Sequence, residues 1–287
     1  MGYDFSLFWE IGKHFFEGGN PYSLGSSYYP PATVYFFVLF SLLPLKVAIA
    51  IITGINSVVF VAIAKKLDKK RWWAWILFPP VMFVIFVGQL DLIFLYLSTF
   101  LVNGGIIAAL AGSLLTLKPQ MAFIALPWFL IRWAKNDRST LAKWVVLTTI
   151  FHGIPLIISP GLYKEWLNNA QGAVSWRMQQ SPGVFSLTNL NVPVAFLALV
   201  ALIIAGWALF KDYKTSKIAQ LMALPAGIWY DSVFVIGTAP YYVMVPVGIA
   251  SFMLAYFVSN SLPLFFISLV AILWRITKRS KNMAPSS

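Results

Sequence analysis

Among the sparse charged and amide side chains of a largely apolar chain, Asp4, Gln89, Asp91, Lys118 and Gln120 are candidates for chemistry. A carboxylate within hydrogen-bond reach of a hydroxyl can take its proton, so Asp4 is a candidate general base. It also opens a run of helical periodicity, where it could cap the free backbone N–H groups. Asp91 follows Gln89 at the edge of an apolar run. An acid costs about 2.5–3.5 kcal/mol at the middle of a membrane helix and less at its edge. Asp91 is therefore either an edge acid in water or a second carboxylate holding hydroxyls, or a divalent ion, with Asp4. Lys118 lies between two apolar stretches and precedes Pro119 and Gln120. Such a cation faces a cavity or snorkels to the headgroups. A fixed ammonium there stabilises negative charge developing on a phosphate. Arg177 could share that role with the bidentate contacts lysine lacks.

Other chemistries are poorly supported. The chain has no cysteine, so thiol and disulfide chemistry is excluded. Its two histidines, His14 and His152, lie far apart without ligand spacing, which argues against a metal site. No cofactor is expected, and a divalent cation is not favoured.

The elements that must position these groups are apolar. Residues are 60% hydrophobic and only 10% charged, against about 25% charged in soluble domains. Mean hydropathy is +0.79. The chain reads as an integral, multi-pass membrane protein, all-α, with a single domain over 1–287. Within it, 1–45 is a first external loop with interfacial helices, 46–158 core helices, 159–190 an external loop and 191–287 C-terminal helices. The net charge of +12 suggests nucleic acid at first sight. The basic residues sit in short loops between apolar runs, however, as the positive-inside rule expects, so no nucleic-acid partner is read from them.

Residues 4–17 predict an amphipathic helix lying flat at the interface, with Phe5, Phe8, Trp9 and Phe16 on its apolar face. Gly18-Gly19-Asn20-Pro21 ends it, and a tyrosine-rich loop with Tyr22, Tyr28 and Tyr29 follows. The apolar run 32–43 is short for a span of roughly 20 residues. Further runs cover 46–64, 72–87 (kinked at Pro79 and Pro80), 92–102, 104–117, 121–131, 141–158, 191–210, 218–236, 241–257 and 262–274. Gly104, Ala108 and Gly112 recur as a small-residue packing face. Placing the basic loops 65–71, 132–138 and 211–217 in the cytoplasm puts Gln89, Asp91, Lys118, the 159–190 segment and 237–242 on the opposite face. Asp4 joins them if 32–43 does not cross. The same count leaves the basic C-terminal tail outside.

The ordered pieces Asp4-Phe5, Gly19-Asn20-Pro21-Tyr22, Tyr29-Pro30-Pro31, Gly88-Gln89, Gly112 with Lys118-Pro119, Ser181-x-Gly183 and Ala239-Pro240-Tyr241 resemble the GT-C class of membrane glycosyltransferases. The nearest resemblance is to the polyprenyl-phosphate-mannose-dependent mannosyltransferase family. It implies a bundle of roughly 8–10 transmembrane helices with an amphipathic interfacial helix in the first external loop. It implies a polyprenyl-phosphate sugar donor, a lipid or glycan acceptor and transfer of a hexose, mannose in that family, with inversion. The active site would lie on the outer face of a prokaryotic plasma membrane. Asp4 then stands at the base, and Lys118 faces the donor phosphate. Asp91, Gln89 and Gln120 contact substrate with Arg177 and Ser181. Tyr22, Tyr29 and Tyr241 stack on sugar or anchor at the interface, and Gly183 lends backbone freedom to a turn.

Two features depart from the family pattern. GT-C proteins carry a spanning helix before the catalytic acid, and this chain begins three residues before Asp4. The expectation is a fragment, an alternative start or half of a split enzyme, with a partner chain supplying that helix. The family also carries a histidine after the late Ala-Pro, where this chain has Tyr241 and Tyr242. Two other readings stay open: a lipid or solute transporter, against which the lack of an inverted repeat counts, and an inactive fragment that binds donor lipid.

Overall fold

The computed structural model describes residues 2–24, 28–225, 227–258 and 260–283, with backbone alone at 173–175, 229 and 279–283. Among these residues the fold is all-α. The helices are α1 (Tyr3–Phe16), α2 (Pro31–Ser41), α3 (Leu45–Leu67), α4 (Pro79–Val87), α5 (Asp91–Ser98), α6 (Gly105–Leu115), α7 (Pro119–Asn136), α8 (Arg138–Ile158), α9 (Pro160–Gln180), α10 (Val194–Ala208), α11 (Tyr213–Ala223), α12 (Tyr241–Phe257) and α13 (Phe265–Met283). Short 3-10 turns lie between them. Four helices, α2, α4, α7 and α9, begin at a proline. At that first position proline loses no hydrogen bond and its fixed φ is already helical. This corrects the kink expected at Pro79 and Pro80, which instead start α4.

Two helices, α3 and α8, are long and apolar enough to cross a membrane alone. A third span is possible if α4 and 91–103 form one, bent by 117°. The apolar α2, α6, α10 and α12 are shorter.

The chain divides into two compact units. The first comprises Met1–Ile63 and Phe83–Val174; the second comprises Ala64–Met82 and Ser175–Ser287. In the first, α1 turns its buried face (Phe5, Phe8, Ile11) onto α2. Phe8 stacks on Phe37 at 4.7 Å and Phe5 meets Phe40 edge-on at 5.3 Å. Phe16, expected on that face, is exposed, and Trp9 is half-buried with its indole N–H donated to the Leu43 carbonyl at 2.8 Å. Phe16 keeps close to the line of Phe5 by the helical period, but it is the last residue of α1. α6 packs on α8 along its small-residue face, where Ala108 is fully buried. Residues 160–180, read as part of a loop, are the helix α9. Its interior holds good helix formers (Leu, Lys, Glu, Ala, Gln), and polarity alone does not prevent a helix.

In the second unit, 218–236 is not a span. α11 ends at Ala223, a break containing Pro225 and Gly227 follows, and Trp229–Val235 forms a 3-10 arm. The two arms run back alongside each other: Lys217 Nζ lies 5.8 Å from the Phe234 ring centroid. Such a hairpin returns the chain to the end it left. Tyr241 accordingly meets Arg71, whose Nη1 donates to its hydroxyl at 2.8 Å. Residues 237–242 therefore lie beside the basic loop 65–71, not opposite it. Lys214, Arg275 and Lys278 line one cavity together with Asp68 and Tyr241. The hairpin is long and apolar enough to read as a crossing, but it turns back. Without that crossing, the basic C-terminal helix falls at the same end as the basic loops 65–71 and 211–217.

Candidate functional site

The first unit gathers most of the candidate residues through helix ends. Asp4 sits in the first turn of α1, and Gly2 rather than Asp4 occupies the cap position. The capping role is therefore not the one Asp4 takes. Its Oδ2 accepts a hydrogen bond from Gln89 Nε2 at 2.6 Å, a short charge-assisted contact that fixes the carboxylate. Asp4 is half-buried and Gln89 is buried.

Gln89 reaches this place because the chain turns sharply between α4 and α5. Gly88 adopts φ +77°, and a Cβ there would fall 2.8 Å from Phe5 Cβ. A side chain would meet both backbone strain and a clash. Two further contacts hold Gln89. Asn56, buried within α3, donates from Nδ2 to the Gln89 carbonyl at 2.8 Å. The Tyr29 hydroxyl donates to Gln89 Oε1 over a long 3.4 Å.

Asp91 begins α5 and Lys118 precedes the first turn of α7. Lys118 Nζ donates to both carboxylate oxygens of Asp91 at 2.8 Å, and both residues are buried. Two charges out of water persist together only with close geometry of this kind. Lys118 adopts extended backbone, as a residue before proline must. The neighbouring Leu117 carbonyl accepts a short hydrogen bond from Thr33 Oγ1. Gln120 lies one residue past Pro119, and its Oε1 is buried without a hydrogen-bond partner among the described residues.

The tyrosine loop is held from two sides. Tyr22 OH donates to the Tyr29 carbonyl at 2.9 Å. From α9, Asn169 Nδ2 donates to the Tyr22 carbonyl at 2.9 Å and Trp166 Nε1 to the Tyr28 carbonyl at 3.0 Å. Burial raises the Tyr22 phenol above its ordinary range, and Tyr163 and Glu165 of α9 reinforce this. Tyr22 is therefore a neutral hydrogen-bond donor. Asn56 and α9 escaped the sequence reading. A lone asparagine in a long apolar run was the available signal for the first. Nothing local signals the second.

An apolar cavity of about 270 Å³ adjoins these residues along the chain. Thr33, Leu90 and Leu117 line it, with Phe36, Phe94 and Leu97 among the rest. Leu90 stands between Gln89 and Asp91, and Leu117 directly precedes Lys118. Among the described residues, no group of three His, Asp or Glu side chains is placed to hold a metal ion.

Arg177, Ser181 and Tyr241 belong to the second unit. Arg177 is buried near the end of α9. Ser181 Oγ donates to the Leu224 carbonyl at 2.9 Å and accepts from Gly183 N–H at 3.1 Å. The turn expected here exists, but Gly183 serves it differently. Its φ of −117° is open to any residue. A Cβ there would lie 2.1 Å from the Met222 carbonyl oxygen, so the glycine provides close approach rather than backbone freedom. Tyr241 lines a basic cavity and accepts a hydrogen bond from Arg71.

A family model for glycosyltransferase family 87 matches residues 28–229. No curated protein and no solved structure matches the chain. The match takes in Tyr29, Gln89, Asp91, Lys118 and Gln120, begins beyond Asp4 and ends before Tyr241. A helical fold with helices able to span a membrane, a fixed carboxylate beside an amide, and a family match over most of the sequence agree. The chain belongs to glycosyltransferase family 87, a family of sugar-transferring enzymes.

Proposed function

We propose that this multi-pass glycosyltransferase is of the GT-C type. It moves a hexose, in our reading mannose, from a polyprenyl phosphate to a lipid or glycan acceptor. The reaction takes place on the non-cytoplasmic face of a prokaryotic plasma membrane. The observation that carries the proposal is a fixed carboxylate, Asp4 on Gln89, and a buried ammonium, Lys118 on Asp91, in a unit that also holds an apolar cavity lined by Leu90 and Leu117, chain neighbours of Gln89, Asp91 and Lys118. A lipid-linked sugar asks for these parts: an apolar slot for the chain, a cation for the phosphate and a base for the incoming hydroxyl.

In this reading the acceptor hydroxyl attacks the anomeric carbon, and Asp4 takes its proton as the new C–O bond forms. Gln89 holds the carboxylate in place, and Tyr29 and Asn56 hold Gln89. The bond from the anomeric carbon to the phosphate oxygen breaks with its electron pair on oxygen, and the leaving polyprenyl phosphate gains negative charge. Lys118 stabilises that charge. Asp91 holds the ammonium until the phosphate arrives and competes for it. Gln120 offers its buried oxygen to a sugar hydroxyl, and Tyr22 supports the loop that carries Tyr29.

The test is transfer of radiolabelled hexose from its polyprenyl phosphate in membranes containing the protein. Wild type should transfer label, and Asp4→Asn should not. Full turnover by Asp4→Asn would remove Asp4 as the base. Transfer from a nucleotide sugar instead of the lipid-linked donor would overturn the donor class.

A further inference from the structure

The second unit holds a different polar cavity, of about 340 Å³, which shares no residue with the Asp4 group. Lys214, Arg275 and Lys278 line it, with Tyr241, Tyr242 and Trp274 as aromatic walls. Its cations come from α11 and α13, and Arg71 borders it through its hydrogen bond to the Tyr241 hydroxyl.

The carboxylates nearby are already committed. Asp68 Oδ1 accepts the backbone N–H groups of Lys70 and Arg71 at 2.9 and 3.0 Å. Asp212 caps α11 through the N–H groups of Lys214 and Thr215 and the Thr215 hydroxyl, and takes Arg275 Nη2 at 2.8 Å. Neither acid pairs with the ammonium of Lys214 or Lys278. Arg275 also has a buried Nε with no acceptor among the described residues. A buried guanidinium N–H without an acceptor is costly, and an anionic oxygen at that point would satisfy it. Three cations against one lining carboxylate rule out a cationic ligand, and the volume suits a small polar group rather than a macromolecule.

We infer that this cavity binds a phosphate ester, with Lys214, Arg275 and Lys278 holding its oxygens and the tyrosines and Trp274 flanking its organic part. Basic pockets among membrane helices take anionic lipid headgroups by this chemistry. A soluble phosphate ester would use the same contacts, and the experiment separates the two sources.

Native mass spectrometry of the delipidated full chain would be run with phosphatidylglycerol, with phosphatidylcholine and with glycerol 3-phosphate. The variants are Lys214→Gln, Lys278→Gln and the pair. Both lysines are exposed, so the variants should keep the wild-type unfolding temperature. Phosphatidylglycerol should bind more tightly than phosphatidylcholine. Each lysine removed should weaken it roughly fivefold, and the two together roughly 25-fold. Retention of glycerol 3-phosphate as tightly as the lipid, with the same loss in the variants, would support the site and assign it to a soluble ester. Equal binding of both lipids, or a double variant within twofold of wild type, would overturn the inference. Sugar transfer is not a readout here, so the result stands apart from the proposed function.

Discussion

Lys118 of the first unit is 3% exposed and Lys217 of the second is 7% exposed, yet their surroundings have little in common. Lys118 meets both oxygens of Asp91 at 2.8 Å. Lys217 lies over the rings of Tyr213 and Phe234, at 5.9 and 5.8 Å from their centroids. Burial, helped by the charge of Lys214, pushes its pKa down to about 7. A ring face attracts a cation but does not replace lost hydration as a carboxylate does. The lesson is that burial alone does not make a lysine a phosphate ligand. Lys118 is matched by a carboxylate that accepts two hydrogen bonds from it. Lys217 meets its burial by giving up the proton.

The comparison can be broken at several points. The largest effect is expected at the carboxylate that the proposed chemistry depends on. Asp4→Asn should lower turnover by about 10²–10⁴-fold, as loss of a general base does, while leaving the melting temperature near that of wild type. Initial rates and thermal unfolding of the same preparation measure the two.

Lys118→Met leaves Asp91 buried and unpaired. It should destabilise the protein by about 3–5 kcal/mol and abolish transfer. The double variant Asp91→Leu with Lys118→Met should recover most of that stability but none of the activity. If the double variant stays as unstable as the single, an unpaired Asp91 is not what destabilises Lys118→Met.

Lys217→Met should act in the opposite sense and stabilise the protein at pH 7. The unfolded chain holds the Lys217 proton up to its ordinary pKa of 10.5, while the folded chain holds it only to about 7. The unfolded state therefore binds more protons between those values, and stability rises with pH across that window. Below about pH 7 the full penalty is present. Unfolding temperatures of wild type should climb between pH 7 and pH 9, and Lys217→Met should flatten that climb.

The smallest effect is expected at Tyr29, whose hydroxyl reaches Gln89 over 3.4 Å. Tyr29→Phe removes one long hydrogen bond, so a loss of about 0.5–1.5 kcal/mol at most, or a few-fold in turnover, should be seen. A loss as large as that of Asp4→Asn would mean that Tyr29 does more than orient Gln89.

Local physics made much of this legible from the sequence. Hydropathy and the sparse charge determined an all-α membrane fold. Prolines stand at four helix starts, where no N–H is needed, but from sequence Pro79 read as a kink and Pro160 as part of a loop. Gln89, Asp91 and Lys118 stood out because polar groups at the edges of apolar runs need a reason to be there, and Asp4 because it opens the polar first stretch. Only the tertiary structure decided their partners. Asp4 is 85 residues from Gln89, and Asp91 is 27 from Lys118; no periodicity encodes such pairs. The hairpin at 213–235 was equally hidden, since an apolar run that turns back reads like one that crosses. Its turn depends on the breakers Pro225 and Gly227 together with packing against Ser181 and Gly183, which a hydropathy window does not register.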